Sequence, residues 1–220
     1  MNLCIDIGNT SAKIGFFDQD KLIDVKQNVT DRGIVKIVAE SEPAHLMIGS
    51  VRKGIGKLLN NCKKKADTKI LDYLTPIPIL NQYESPETLG VDRIASMVGA
   101  WFLYPGKACL VIDLGTCITF DFLDSQGVYH GGAISPGLKM RLMAMHKFTS
   151  GLPLISPKGR SELIGKTTAQ CMQSGAINGT AAELESIIDR YKQFFEDLNI
   201  IFCGGDAIFF TDEVGRIKLN

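Results

Sequence analysis

Two segments of this 220-residue chain carry one pattern. The first is Ile5-Asp6-Ile7-Gly8-Asn9-Thr10-Ser11-Ala12-Lys13, the second Val111-Ile112-Asp113-Leu114-Gly115-Thr116-Cys117-Ile118-Thr119. In each, an apolar run ends in Asp-x-Gly-[Asn/Thr], a turn of small and hydroxyl-bearing residues follows, and a second β-capable run returns. The two aspartates stand 107 residues apart, about half the chain, which points to two similar halves. Such a turn suits phosphate. Glycine lets the backbone come close to an anion, turn N–H groups and hydroxyls donate to its oxygens, and a carboxylate can hold a cation or orient water. A single copy reads equally well as a hairpin turn with Asp6 merely ending a strand. The repetition favours a clamp on a nucleotide's phosphates.

The bulk composition is that of an ordinary globular protein, 45% hydrophobic and 22% charged. The 24 basic and 24 acidic residues cancel, which argues against a dedicated nucleic-acid binder. Lys63-Lys64-Lys65 reads as a solvated helix end. The first strand starts at Asn2, leaving no room for a signal peptide. The apolar run from Ile94 to Tyr104 is too short to span a bilayer. A cytoplasmic protein without membrane partners is expected. Cys4, Cys62, Cys109, Cys117, Cys171 and Cys203 show no Cys-x-x-Cys spacing and read as reduced, buried thiols acting as small hydrophobes. His45, His130 and His146 are scattered, with no zinc-site spacing.

Asn2–Ile7, Ala12–Asp18 and Lys21–Val29 read as a β-meander with a hairpin turn at Asp18-Gln19-Asp20. Asp31 is expected to cap a helix through Ala39. His45–Ser50 reads as a buried strand, Gly54–Ala66 as a helix and Lys69–Leu71 as a short strand. Thr75-Pro76-Ile77-Pro78-Ile79 cannot be helical. Gly90–Tyr104 predicts a strongly apolar helix that Pro105-Gly106 ends, placing a boundary between halves 1–107 and 108–220. The meander then restarts at Ala108–Asp113, Thr116–Phe122 and Val128–Ile134. A helix after Pro136 follows, then a loop at Gly151–Gly159. A long helix over about Thr167–Phe195 is expected to break at Gly175 and Gly179, and Asn199–Phe202 forms the last strand.

Gly90-Val91-Asp92-Arg93 is the best catalytic candidate. Asp92 at a helix start can cap that helix, or it can take the proton from a hydroxyl attacking a phosphoryl group. Arg93 could fork a substrate carboxylate. Lys13 on the return strand could reach a phosphate as a point charge, or be an ordinary surface lysine. Gly204-Gly205-Asp206-Ala207 follows a strand; it suits a loop against adenine or ribose with Asp206 capping the next helix, or a plain strand-to-helix turn. Two decoys fall away. Gly159–Thr167 looks like a P-loop but has Arg160 where the first glycine is required. Val51–Gly56 begins like a dinucleotide fingerprint but carries Leu59 at the third glycine position.

With Asp6–Lys13, Gly90–Arg93, Asp113–Thr119 and Gly204–Ala207 in this order, nearly the whole chain closely resembles the type III pantothenate kinases, also known as the Bvg accessory factor family. Gly131–Gly137 and Gly165–Thr168, with Ser174-Gly175, also look like family segments. The resemblance implies an α/β fold of the actin/hexokinase/Hsp70 type, with duplicated ribonuclease H-like domains and the nucleotide cleft between them. It implies ATP-dependent phosphorylation of the primary hydroxyl of pantothenate to 4'-phosphopantothenate, the first step of coenzyme A synthesis. By resemblance, Asp6, Ile7, Gly8, Asn9, Thr10, Ser11, Ala12 and Lys13 form the first phosphate loop and Thr116 contacts ATP. Asp92 is the proton acceptor; Tyr83, Gly90, Val91, Asp92, Arg93 and Thr168 touch pantothenate. Asp113 matches the position holding a monovalent cation, K⁺ or NH₄⁺, and Mg²⁺ accompanies ATP. Members are homodimers. Cys203 departs from the family's usual threonine, and the family pattern continues past Asn220 with further strand and helix. Two alternatives stay open: the same fold acting on another small carboxylated alcohol or a sugar, and a nucleotide-binding regulator without catalysis.

Overall fold

In the computed structural model, residues 1–9, 11–159 and 161–210 are described. Along Asn2–Ile7 (β1), Leu3, Ile5 and Ile7 are buried while Cys4 and Asp6 meet solvent, the alternation of a strand covered on one face. β1 pairs antiparallel with Ala12–Asp18 (β2), and β2 antiparallel with Lys21–Val29 (β3). On its other side β1 runs parallel to His45–Ser50 (β4), and β4 parallel to Asp67–Ile70 (β5). The resulting order is β3-β2-β1-β4-β5. The parallel β1–β4 pair needs a crossover, which Asp31–Ser41 (α1) supplies. Ile34 and Val38 of α1, with Leu58 and Cys62 of Gly56–Lys63 (α2), close the core over Leu3, Ile5, Ile7, Ile14 and Ile48.

A second sheet repeats the plan. Leu80–Asn81 forms a short strand (β6) and Val91–Leu103 a helix (α3). Ala108–Leu114 (β7), Cys117–Leu123 (β8) and Val128–Pro136 (β9) then form an antiparallel meander. Leu138–Lys147 (α4) and Thr168–Phe194 (α5) follow, and Leu198–Cys203 (β10) returns parallel to β7, as β4 does to β1. The order is β10-β7-β8-β9-β6. Leu110, Ile112, Phe120, Leu142, Ile177 and Leu184 are wholly buried here, each contributing roughly 1.5–3 kcal/mol of burial. The chain divides into two compact units: one comprises Met1–Ile77 and Glu84–Ser96, the other Pro78–Tyr83 and residues from Met97 onward.

Several local expectations change. Thr30, not Asp31, caps α1: its hydroxyl accepts from Gly33 N at 3.2 Å. Asp31 instead accepts a bond from Arg52 at 2.7 Å. α5 is continuous through Gly175 and Gly179. Each glycine there costs about 1 kcal/mol relative to alanine. Both lie on the exposed side, and the buried stripe of Met172, Ala176, Ile177, Leu184 and Ile188 holds the helix down. α2 is shorter than expected, and β5 begins two residues earlier at Asp67, where pairing with β4 sets its start.

Candidate active site

Asp6 lies near the end of β1, opposite Lys13 on β2 and Gly49 on β4. Beyond it the chain turns tightly, Gly8 N donating to Ser11 O at 3.1 Å. Ile7 and Ala12 are core residues, at 0% and 3% exposure, so their side chains point away from solvent. Asn9 and Lys13 face solvent; Thr10 lies outside the described residues. Burial holds the Asp6 carboxyl above its ordinary value; Lys13 pulls it back down, and the Asp92 carboxylate pushes it up again. Asp6 therefore lies within electrostatic reach of Asp92.

Asp92 stands in the first turn of α3. One carboxylate oxygen, Oδ1, accepts from Arg93 N at 2.9 Å, and its carbonyl accepts from Ser96 Oγ at 2.9 Å. Gly90 makes this conformation possible, because a methyl group there would overlap Asp92 Oδ1. The Val91 side chain packs towards Gly49, which ties the helix start to the sheet at the level of Asp6. Arg93 is buried at 6% exposure. A buried guanidinium demands partners, so Arg93 is a built-in part of this corner and not a free surface arm.

In the second unit Asp113 occupies the place on β7 that Asp6 has on β1, between Thr119 of β8 and Cys203 of β10. The turn is tighter: only Gly115 and Thr116 separate the strands, and Gly115 N donates to Cys117 O at 3.0 Å. Thr116 is exposed, and its carbonyl accepts from Gly137 N at 3.2 Å. Gly204 adopts φ +91°, and a methyl group there would overlap both Asp113 Oδ1 and Leu114 O. Only glycine fits, for conformation and for space. Asp206 does not cap the helical turn that follows, Ala207–Phe209. Its N–H donates instead to Leu114 O at 2.8 Å, which fastens the Gly204-Gly205 loop beside Asp113. Burial holds the Asp206 carboxyl above its ordinary value, against the pull of Lys139.

Tyr83 follows β6, its N–H donating to Asn81 Oδ1 at 2.9 Å. Its ring lies nearly parallel to Tyr129, 14° apart with centroids 6.2 Å apart. The Tyr129 hydroxyl donates to Asp121 Oδ1 at 2.6 Å inside the core. Sequence reading missed this pair; its one signal was a lone acid in the apolar run Ile118–Leu123. Thr168 is the exposed first residue of α5, which Thr167 caps by accepting from Gln170 N at 3.2 Å. Beside it a cavity of about 740 Å³ is lined by Lys158, Glu162, Leu163, Lys166 and Gln173, none of them in a phosphate-type turn.

A family profile described as type III pantothenate kinase matches residues 2–190. The chain belongs to the type III pantothenate kinase family. A type III pantothenate kinase of Bacteroides fragilis is 42% identical over 226 residues, covering 99% of this chain and 90% of its own. Among solved structures, a Campylobacter jejuni protein described as a Baf family transcriptional activator superposes with a TM-score of 0.63 at 19% identity, covering 99% and 90%. A protein described as a 2-dehydro-3-deoxygalactonokinase, from Sinorhizobium meliloti, gives 0.56 at 14% identity, covering 100% and 90%. These likenesses carry the fold. This pantothenate kinase family member has the actin/hexokinase/Hsp70-type architecture, with its ribonuclease H-like sheet duplicated. Among the described residues, no helix is long and apolar enough to cross a membrane.

Proposed function

We propose that this chain transfers the γ-phosphoryl group of ATP to the primary hydroxyl of pantothenate, yielding 4'-phosphopantothenate and ADP at the start of coenzyme A synthesis. Membership of a kinase family supports the donor and the reaction class. The observation that carries the chemistry is Asp92, held at the start of α3 with one carboxylate oxygen anchored and close enough to Asp6 to raise its proton affinity. Its other oxygen is the base. It takes the hydroxyl proton as that oxygen attacks the γ-phosphorus and the bond to the β–γ bridging oxygen breaks, a step in which positioning and charge neutralisation do most of the work. The backbone of Ile7–Ala12, with Lys13, binds phosphate on the first unit; Thr116 does so on the second. Gly90–Arg93, Tyr83 and Thr168 hold pantothenate, and the two halves are taken as 1–107 and 108–220.

The carboxylates fit the expected cations. Asp6 carries a raised proton affinity that a cation would relieve, and Mg²⁺ typically uses one or two carboxylates together with substrate phosphates. Asp113 Oδ1 and the Leu114 carbonyl converge beside Gly204, an all-oxygen donor set suited to a hard cation such as K⁺. Mg²⁺ held at Asp6 would neutralise phosphate charge, and K⁺ at Asp113 would fix the second phosphate turn.

A homodimer in the cytoplasm, without nucleic-acid or membrane partners, completes the reading. Ile134, Met143, Phe148, Leu154, Leu163 and Ile164 are exposed apolar side chains on the second unit, of the kind a partner copy covers. The deciding experiment is ADP release with ATP and pantothenate, with and without K⁺, alongside a panel of sugars and hydroxy acids. ADP formed only with pantothenate, matched by phosphopantothenate in the mass spectrum, is expected. Turnover of another acceptor alone would refute the substrate assignment.

A further inference from the structure

The buried pair Asp121–Tyr129 lies outside the reaction just described, yet everything around it converges on Tyr83. Asp121 is 1% exposed and Tyr129 1% exposed. Their 2.6 Å O–H···O contact has the length of a charge-assisted bond, as a carboxylate sunk in a core requires. Burial, and after it the nearby Asp121, raise the proton affinity of the Tyr191 hydroxyl. Asp121 faces Gly132 across the β8–β9 ladder. The register slips by one residue between Phe122 and Leu123, so that Leu123 pairs with Tyr129 and His130 is left over. Such a bulge re-aims a side chain, and here Tyr129 reaches Asp121.

The segment carrying Tyr83 is stitched to the same strand. Leu80 N donates to Gly127 O at 2.8 Å and Gln82 N to Tyr129 O at 3.0 Å. Tyr83 then lies along the Tyr129 ring and over Gly131, which has φ +94° and no side chain. A methyl group on Gly131 would stand 3.3 Å from the Tyr83 ring. Backbone bonds set where Tyr83 begins, and its ring lies near-parallel to the Tyr129 ring.

We propose that Asp121 is a positioning residue for substrate binding: through the Tyr129 hydroxyl it locks the ring on which Tyr83 rests, and so fixes the aromatic wall that Tyr83 presents to pantothenate. This rests on the assignment of Tyr83 as a pantothenate contact. Asp121 never touches substrate. Loosening it acts on pantothenate affinity and leaves both ATP affinity and the Asp92 chemistry unchanged.

The test is steady-state kinetics and melting of the full chain with Tyr129→Phe, which keeps the ring and removes the hydroxyl. KM for pantothenate is expected to rise roughly threefold to tenfold, on the scale of one aromatic pair, with kcat and the KM for ATP unchanged. Tyr129→Phe also takes one hydrogen bond from the buried, charged Asp121 carboxylate and lowers the melting temperature. The double variant Asp121→Asn/Tyr129→Phe removes that charge, so melting recovers while KM for pantothenate stays raised. Asp121→Asn alone retains an acceptor for the hydroxyl and is expected to keep KM near wild type. An unchanged pantothenate KM in Tyr129→Phe, with an active wild type, overturns the proposal alone. A KM that recovers together with stability in the double variant overturns it too, in favour of a purely structural pair. A wild type inactive on pantothenate overturns the substrate reading and the proposal with it.

Discussion

Gly90→Ala is expected to separate catalysis from stability. Gly90 has no positive φ, so its backbone accepts alanine. The obstacle is one atom, Asp92 Oδ1, which the new methyl would approach closer than ordinary van der Waals contact by about 1 Å. A carboxylate at the end of a short side chain can swing away. It then loses its bond to Arg93 N, a loss of about 0.5–1.5 kcal/mol. Removing a glycine from the unfolded chain gives back about 0.4–1 kcal/mol. Net stability should change by less than about 1 kcal/mol, a shift within roughly 4 °C in Tm for a domain of this size. The proposed proton acceptor, however, is displaced by about 1 Å, a misplacement that can cost on the order of 100-fold, or about 2.7 kcal/mol of barrier. The assay is kcat for ADP release at saturating ATP and pantothenate, paired with a melting curve. Turnover within twofold of wild type would refute the role given to Asp92's held geometry. A collapse in Tm would show that the carboxylate cannot swing as argued.

Other variants probe the remaining parts. Gly204→Ala forces an L-residue to φ +91° and crowds both Asp113 and the Leu114 carbonyl; a loss of roughly 2–5 kcal/mol and a Tm drop of roughly 4–20 °C are expected, with weaker K⁺ stimulation in whatever protein remains folded. Asp6→Asn should raise the melting temperature at neutral pH while abolishing turnover. The sign follows from its raised carboxyl: the folded state binds the proton more tightly, so wild-type stability falls as pH rises from the ordinary value of 3.8 through the raised one. The gain should vanish at a pH below 3.8, where both states are protonated. Lys13→Met should raise the KM for ATP with little effect on the KM for pantothenate, since Lys13 is exposed beside the proposed first phosphate turn; equal effects on both would contradict its assignment.

The strands were legible because their burial repeats at short range. Leu3-Ile5-Ile7 alternates, and Cys109–Ile112 is a continuous apolar run that becomes a strand buried on both faces. The Asp-x-Gly turns and Gly90-Val91-Asp92-Arg93 were legible because glycine and aspartate at fixed spacing have few structural uses. Other features depended on partners remote in sequence. Leu80–Asn81 becomes a strand only because Val128–Tyr129 offers it an edge. Thr30 caps α1, while Asp31, one residue inside the helix, accepts from the distant Arg52 instead. α5 survives its two glycines because the face they leave thin is the solvent face. Asp121 gave almost no signal, since an acid inside an apolar strand is informative only once the Tyr129 hydroxyl is seen beside it.

The most direct test of the account is the turnover of Asp92→Asn, the near-isosteric change that removes the proton acceptor and little else. Phosphopantothenate formation at saturating substrates is expected to fall by roughly 10²–10⁴-fold, with the wild-type melting temperature and ATP affinity retained. Near-normal turnover in a folded Asp92→Asn protein would contradict the assignment of Asp92 as the base and, with it, the mechanism built on the start of α3.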